Sequence, residues 1–516
     1  MKRPARNTGS WRGRRHRPRP AALWLLLVFG GMVAFGSAAV RTAASERKAP
    51  GNEGGSTGAA GQETPAARGG PGTKGLEERI AELEALVGRL RAELDALRAT
   101  AAGTAAGAGG PATLQELERK IEALAQEIER LRIGEAAAPP AQEPVPGFGP
   151  AASKVYAIKR GVSVGGYGEM LYQNIDARRD DGVPSGALDR LDLERAVFYF
   201  GYKWSDHLLL NSELEYEHAV SGEGEPGETA VEFAYIDYRP FRRFGMRGGL
   251  LLVPMGFLTE LHEPPIFHGA TRPEVERLII PSTWRENGLG VYGDLGPVSY
   301  RAYVVAGLRA SGFTADEGIR EGRQEGADSL AEDLALTARV DYTPTAGLVL
   351  GAALFTGRTG QGDPSLAGAR LTLGDAHAEW NARGVHLRGL YVKGILSDAE
   401  AVSLSNDPLL AVDPTRPTAI GSRTKGWYAE AAYNLLSLRR KGDRELGPFL
   451  RYEALDTQEE VPPRFTRDPV NDRTVRTYGI TWRPIPNVAI KVDVQDFRNR
   501  AGTGIDQVNF ALGYLF

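Results

Sequence analysis

The sequence predicts an all-β transmembrane barrel of about sixteen antiparallel strands, preceded by a short α-helical coiled-coil segment. Three observations point there. In the last ten residues, Val508, Phe510, Leu512, Tyr514 and Phe516 alternate with Asn509, Ala511, Gly513 and Leu515. That is a period-two strand with one apolar, aromatic-ended face. Such a strand suits a barrel that must close its sheet while facing lipid. From Val155 onward, short alternating segments recur, and the gaps between them are tight and long by turns. Short turns at one rim and long loops at the other are the layout of a membrane barrel. At the front, a basic stretch through residue 20, an apolar run from Ala21 to about Phe35 and the small residues 36–39 predict a secretory signal peptide over 1–39.

Composition agrees. The 516 residues contain no cysteine, which excludes a disulfide framework, a thiol nucleophile and a thiolate metal site. A net charge of −3 gives no reason to expect nucleic acid. Mean hydropathy is −0.29, as expected when apolar and polar residues alternate rather than cluster.

Residues 40–75 read as a flexible Gly/Ala/Ser/Thr/Pro linker. Over 76–133 lie two heptad blocks separated by a Gly/Ala stretch at 99–113. Leu76, Ile80, Leu83, Val87, Leu90, Leu94 and Leu97 form the first. Leu114, Leu117, Ile121, Leu124, Ile128 and Leu131 form the second. The four-three spacing and the Glu, Arg and Lys around it predict a coiled coil, weakened at Gly88. An antiparallel intrachain hairpin and an intersubunit coil are both open. A Pro/Ala linker over 134–155 then leads into the barrel domain, 156–516.

The first strand is predicted over 161–174, the fifth over 246–256 and the last over 507–516. Trp204–Asp206, Leu295–Pro297, Pro344–Ala346, Ala382–Arg383 and Pro484–Pro486 are tight turns; 257–283, 310–330, 397–423 and 457–473 are long loops. Within strands, Val488, Ile490, Val492 and Val494 face lipid while Lys491, Asp493 and Gln495 face water. Likewise Leu210, Leu214 and Tyr216 oppose Asn211, Glu213 and Glu215. Trp204, Tyr238, Tyr342, Trp380, Trp482 and Phe516 fall where a strand meets the short-turn rim and predict an aromatic girdle there. Sixteen strands leave room for an aqueous channel.

Enzyme motifs occur by letter and fail by context. Gly161-Val162-Ser163-Val164-Gly165 lacks the helix that a nucleophile elbow needs. Gly288, Gly290 and Gly293 have no βαβ unit around them; small residues beside a loop packed in the lumen explain them better. Pro264–Pro265 after His262–Glu263 precludes a helical zinc-protease site. The seven histidines are scattered and no metal cluster stands out. The reading is non-enzymatic, with no cofactor.

The segment with specificity is 249–293. Pro254, Pro264, Pro265, Pro273 and Pro281 stiffen a loop far longer than a hairpin requires, without secondary structure of its own, and stiff long loops are usually functional. Its charged and imidazole side chains, Glu260, His262, Glu263, His268, Arg272, Glu274, Glu276 and Arg277, are the candidate pore constriction. Arg195, Glu213, Glu215, Arg301, Arg339, Arg388, Arg451 and Lys491 fall on inward faces and are the candidate pore lining. Adjacent opposite charges could equally pair and pin the loop to the wall.

That loop, the GGYGEMLY run at Gly165–Tyr172 and the terminal Phe resemble the phosphate-selective porin O and P family of Gram-negative bacteria, over roughly residues 160–516. The resemblance implies a sixteen-stranded, homotrimeric channel in outer-membrane lipid and lipopolysaccharide, with a cationic lumen passing small solutes or ions such as phosphate. The residues themselves show no dense cationic ladder: four Glu face two Arg in the loop. The function expected is passive diffusion through a water-filled channel. The alternative is a structural tether, its periplasmic coiled coil linking a barrel anchor to the cell wall.

Overall fold

The computed structural model describes residues 73–103, 118–125 and 147–516, except 223 and 440–442. The predicted signal peptide, the 40–72 part of the first linker, residues 104–117 and residues 126–146 lie outside them. A helix spans Thr73–Gly103 without interruption at Gly88, and residues 118–125 are also helical. Val87 packs with Leu83, Ile121 and Leu124 of the same chain. This is the contact an intrachain hairpin makes. No described helix is long and apolar enough to cross a membrane.

Sixteen strands follow. They are Gly161–Ile175 (β1), Arg190–Ser205 (β2), Leu208–Glu217 (β3), Thr229–Phe241 (β4) and Phe244–Leu252 (β5). Then come Arg285–Leu295 (β6), Val298–Ala306 (β7), Leu334–Thr345 (β8), Leu348–Arg358 (β9), Arg370–Ala382 (β10) and Val385–Ser397 (β11). Arg423–Tyr433 (β12), Glu445–Glu460 (β13), Asp472–Ile485 (β14), Val488–Asn499 (β15) and Gln507–Leu515 (β16) complete the sheet. Each pairs antiparallel with its neighbours, and β1 pairs with β16, so the sheet is a closed barrel. The terminal strand thus does what its pattern predicts.

Alternation decides which residues face where. On β15, Lys491, Asp493 and Gln495 are buried inside, and on β3 Asn211, Glu213 and Glu215 are. Outside, Phe198, Phe200, Leu336, Leu354, Tyr391, Trp427, Leu450 and Ile480 are exposed although apolar. An apolar belt on that scale belongs in lipid rather than water, and the construction fits an outer membrane. Trp204, Tyr238, Tyr342, Trp380 and Phe516 are all exposed at the short-turn rim, with Trp482 half-buried beside them.

Two expectations change. The stretch 147–155 is no free linker: Phe148, Ala151, Ala152, Ser153, Lys154 and Val155 are buried. Phe148 rests on Phe233 and Tyr235, the Ala152 carbonyl accepts from Asn211 at 3.0 Å, and Lys203 donates to the carbonyls of Tyr156 and Ile158. Those partners face inward on β2–β4, so the segment lies inside the barrel. Its apolar residues had an inner wall to bury against, which composition alone could not reveal. The second change is that β5 ends at Leu252, four residues early, because the chain turns into the lumen at Val253.

Candidate functional site

The lumen is occupied by the connection from β5 to β6, as the length and prolines of that segment predict. It does have short structure of its own: a 3-10 turn at Pro264–Ile266 and a π-helical turn at Val275–Ile279. Two glycines on the inner wall mark where it comes closest. A Cβ at Gly513 on β16 would lie 2.5 Å from Pro264, and one at Gly426 on β12 would lie 2.8 Å from Val275. The segment therefore touches walls on both sides of β13–β15. Gly288 and Gly290 serve a different purpose from the one expected. They make room for Val305 and Tyr303 of the neighbouring strand, while Gly293 abuts the Arg243 backbone.

The walls hold the segment through its backbone. Glu276 accepts from the amides of Phe257 and Leu258, both at 2.7 Å, and from the Tyr428 hydroxyl at 2.6 Å. Asp493 accepts from Ala270 at 2.6 Å and Glu453 from Val275 at 3.2 Å. Arg451 donates to the carbonyls of His268 and Thr271, and Arg483 to those of Pro265 and Phe267. Arg339 donates to the Gly256 carbonyl. A loop without a sheet of its own must place its buried backbone groups somewhere; Glu276 of the loop itself and inward side chains of β8, β10 and β13–β15 receive them, while Tyr428 of β12 holds the Glu276 carboxylate.

The predicted constriction residues mostly have fixed partners. Glu260 pairs with Arg301, and His262 Nε2 is 3.1 Å from Glu213. Glu263 accepts from the amides of Ala151 and Ala152 at 3.0 and 3.1 Å, tying the inserted loop to the inserted N-terminal segment. Burial pushes the Glu263 carboxyl up to about 7 against the pull of those two amides. Glu274 pairs with Arg277, which also faces Glu317 at 3.7 Å. Arg272 is different. Its Nη1 is 3.5 Å from the Ser282 hydroxyl, while Nε and Nη2 are buried with no hydrogen-bond partner among the described residues.

The lining residues form ladders set by strand register. Glu379, Arg388, Glu430 and Arg451 stand opposite one another across β10–β13, alternating in sign. Arg388 meets Glu379 at 2.7 Å; Arg451 meets Glu430 at 3.2 Å and Glu453 at 2.9 Å. Arg301 and Arg339 are directly opposed on β7 and β8, a repulsive pair. Asp341 offsets it at 3.0 Å from Arg301 and 2.8 Å from Arg339. Arg195 lies 3.6 Å from both Glu169 and Glu215. Lys491 Nζ has no hydrogen-bond partner among the described residues and sits 3.6 Å from the centre of the Phe267 ring. Alternation had already put Arg339, Arg388 and Arg451 inward. It places Glu453 inward beside Arg451 too, and applied to the same strands it also finds Asp341, His386 and Glu430.

Histidines scattered in sequence are not scattered in space. His268 of the loop and His386 of β11 lie with ring centres 5.2 Å apart, beside Glu430 of β12. Burial first, then the charge of Arg483, hold the His268 imidazole well below its usual range.

Two charged cavities lie beside the inserted loop. One of about 430 Å³ opens toward the short-turn rim, lined by Glu260, Asp294, Asp341 and Glu379 against Arg242, Arg301 and Arg339. The other, about 270 Å³, lies toward the long-loop rim. There Glu215, Glu217, Glu228, Glu232, Glu321 and Glu325 face Arg285, Arg320 and Arg323.

No protein-family model matches the sequence. Solved structures with some likeness include the outer membrane channel DcaP of Acinetobacter baumannii (13% identity, 69% of this chain, 98% of that one, TM-score 0.47). Others are the anion-selective porin from Comamonas acidovorans (14%, 69% and 100%, 0.46) and Salmonella typhi OmpF (13%, 69% and 98%, 0.45). The architecture rests on the closed sheet rather than on likenesses of this size. The chain belongs to one family with an uncharacterized protein of Aquifex aeolicus (strain VF5), 39% identical over 381 residues, 73% of this chain and 85% of that protein.

Proposed function

We propose that this chain is an outer-membrane porin, a water-filled channel for passive diffusion of small polar or ionic solutes. The observation that carries the reading is the closed sixteen-stranded barrel whose charged lumen is narrowed by a pinned internal loop, with a cavity toward each rim. A barrel serving only as an anchor has no need of a charged interior held to such detail. Selectivity would come from pore width and lining charge.

The phosphate preference that the family resemblance implies finds little support in the lining. Anion selectivity needs cations with unspent charge, yet Arg195, Arg301, Arg339, Arg388 and Arg451 each face a carboxylate, which leaves Arg272 and Lys491 as the predicted lumen cations without an ion-pair partner among the described residues. The cavity toward the long-loop rim has six carboxylates against three guanidiniums, and low-dielectric walls focus that field. Cations are therefore the favoured ions. Trimeric assembly, as the resemblance implies, is part of the same reading.

Purified protein in a planar bilayer under a salt gradient tests this. Stable conductance steps with a reversal potential of cation-selective sign are expected. An anion-selective sign would return the lumen to the phosphate reading. A lasting absence of conductance would sink the channel and favour the tether, in which the heptad blocks of 76–133 link the barrel to the cell wall.

A further inference from the structure

We propose that His268, His386 and Glu430 form a binding site for a divalent transition-metal ion, Zn2+ by chemistry, on the inner wall of the barrel. One potential donor atom from each lies within 4.8 Å of the other two. His386 Nδ1 is 3.9 Å from Glu430 Oε1. A zinc ion bonded at about 2.0–2.2 Å to tetrahedrally arranged donors holds them roughly 3.4 Å apart. Closing the cluster takes shifts of about 1 Å or less at each donor, within the reach of side-chain torsions.

Three further observations point to a ligand. First, His268 Nδ1, His386 Nδ1 and Glu430 Oε1 are all buried without a hydrogen-bond partner among the described residues. His268 is 3% exposed and Glu430 5%. An orphaned buried polar group costs about 1–3 kcal/mol; three pointing into one place are better explained by a common occupant. Second, both rings turn their other nitrogen to a carboxylate: His268 Nε2 is 3.8 Å from Glu445, and His386 Nε2 is 3.5 Å from Glu379. A proton on Nε2 of each ring would face that carboxylate and leave the Nδ1 lone pair to a metal, the order of a carboxylate–histidine–metal triad. Third, the nearby guanidiniums are matched by carboxylates other than the proposed ligand: Arg388 by Glu379, Arg451 by Glu453 and Arg483 by Glu445, with Lys491 the remaining cation.

Two imidazoles and one carboxylate suit zinc and its first-row neighbours, and calcium or magnesium poorly. The ion would join the inserted loop, through His268, to β11 and β12. A trapped water could also answer the three atoms, and the experiment separates the two.

The probe is the folded, detergent-solubilised chain, without purification histidines, stripped with chelator and titrated with Co2+ and then Zn2+. A visible Co2+ absorption displaced by one Zn2+ per chain is expected. H386Q and E430Q should each weaken binding at least tenfold, and E445Q, which touches no metal, by about 10–100-fold. H207Q, at a turn on the rim, should leave it unchanged. Zn2+ should also slow hydrogen exchange of the 264–272 backbone in the wild type and not in H386Q. Heat-modifiable migration reports the fold of each variant. Should E430Q misfold because Arg451 loses a partner, H386Q decides alone, since it keeps the hydrogen bonds from loop to wall that Arg339, Arg451, Glu453, Arg483 and Asp493 make. Absence of the cobalt band, or equal affinity in wild type and H386Q, overturns the site and leaves a water there.

Discussion

Glu276 offers the sharpest test of how the lumen is filled. Its carboxylate is fully buried and accepts three hydrogen bonds, two from the loop's own amides at Phe257 and Leu258 and one from Tyr428 on the wall. A hydrogen bond to a charged group contributes about 1.5–3 kcal/mol. Tyr428→Phe removes only the wall bond, without leaving a donor orphaned, and should destabilise docking by about 2 kcal/mol. Glu276→Ala removes all three and strands two buried amides, so its cost should be at least twice that. Local opening is read by hydrogen exchange of peptides covering 255–282. At tenfold per 1.4 kcal/mol, Y428F should speed exchange there about 30-fold, and E276A should bring the segment close to the rate of an exposed loop. Strands β14 and β15 should not change, because the barrel closes through its own ladder. If E276A accelerates exchange by less than a few-fold, the loop is held by the bonds from Arg339, Arg451, Glu453, Arg483 and Asp493 instead, and the central role given to this carboxylate is refuted.

Docking of the N-terminal segment should depend on pH through Glu263. Its carboxyl is raised from 4.5 to about 7, chiefly by burial, with Glu213 and His262 the charged neighbours. A carboxyl raised in the folded protein binds more protons folded than unfolded, so the folded packing around Glu263, the docked segment included, is most stable below about 4.5 and loses stability as pH rises to about 7, while the Ala151 and Ala152 amides pull the other way. Protease sensitivity near residue 150 should rise over that window in wild type and stay flat in Glu263→Gln; a flat wild-type profile counts against the assignment. Phe148→Ala should release the same segment. It deletes a ring stacked on Tyr156, tilted against Tyr235 and covered by Arg247 at 4.8 Å, worth about 3–5 kcal/mol. Trypsin should then cut at Lys154, which is buried in the wild type, and conductance should increase; continued resistance at Lys154 would show that other contacts hold it.

The sequence by itself determined the sheet. Period-two alternation is local, so Lys491 and Asp493 could be assigned inward, and Leu450 and Tyr452 outward, from their neighbours alone. Gap lengths then gave the strand count, because a tight turn permits only a hairpin. The inserted loop was legible for a similar reason: five prolines and thirty-odd residues exceed what a rim connection needs. Tertiary structure decided how inward charges were used. Whether Arg339 is a free pore cation or the partner of Asp341 and the Gly256 carbonyl depends on what lies across the lumen. Asp341, two residues on along the same face, is local to Arg339, but nothing local to it records the Gly256 carbonyl. Residues 147–155 look like a linker because small and proline-rich stretches read alike whether solvated or buried. They are buried because β2–β4 present an aromatic inner wall. His268, His386 and Glu430 meet only because register and loop path bring positions 118 and 44 residues apart to one point. Alternation fixes which side of the wall a residue faces; what it meets there is set by the closed barrel and by the chain folded inside it.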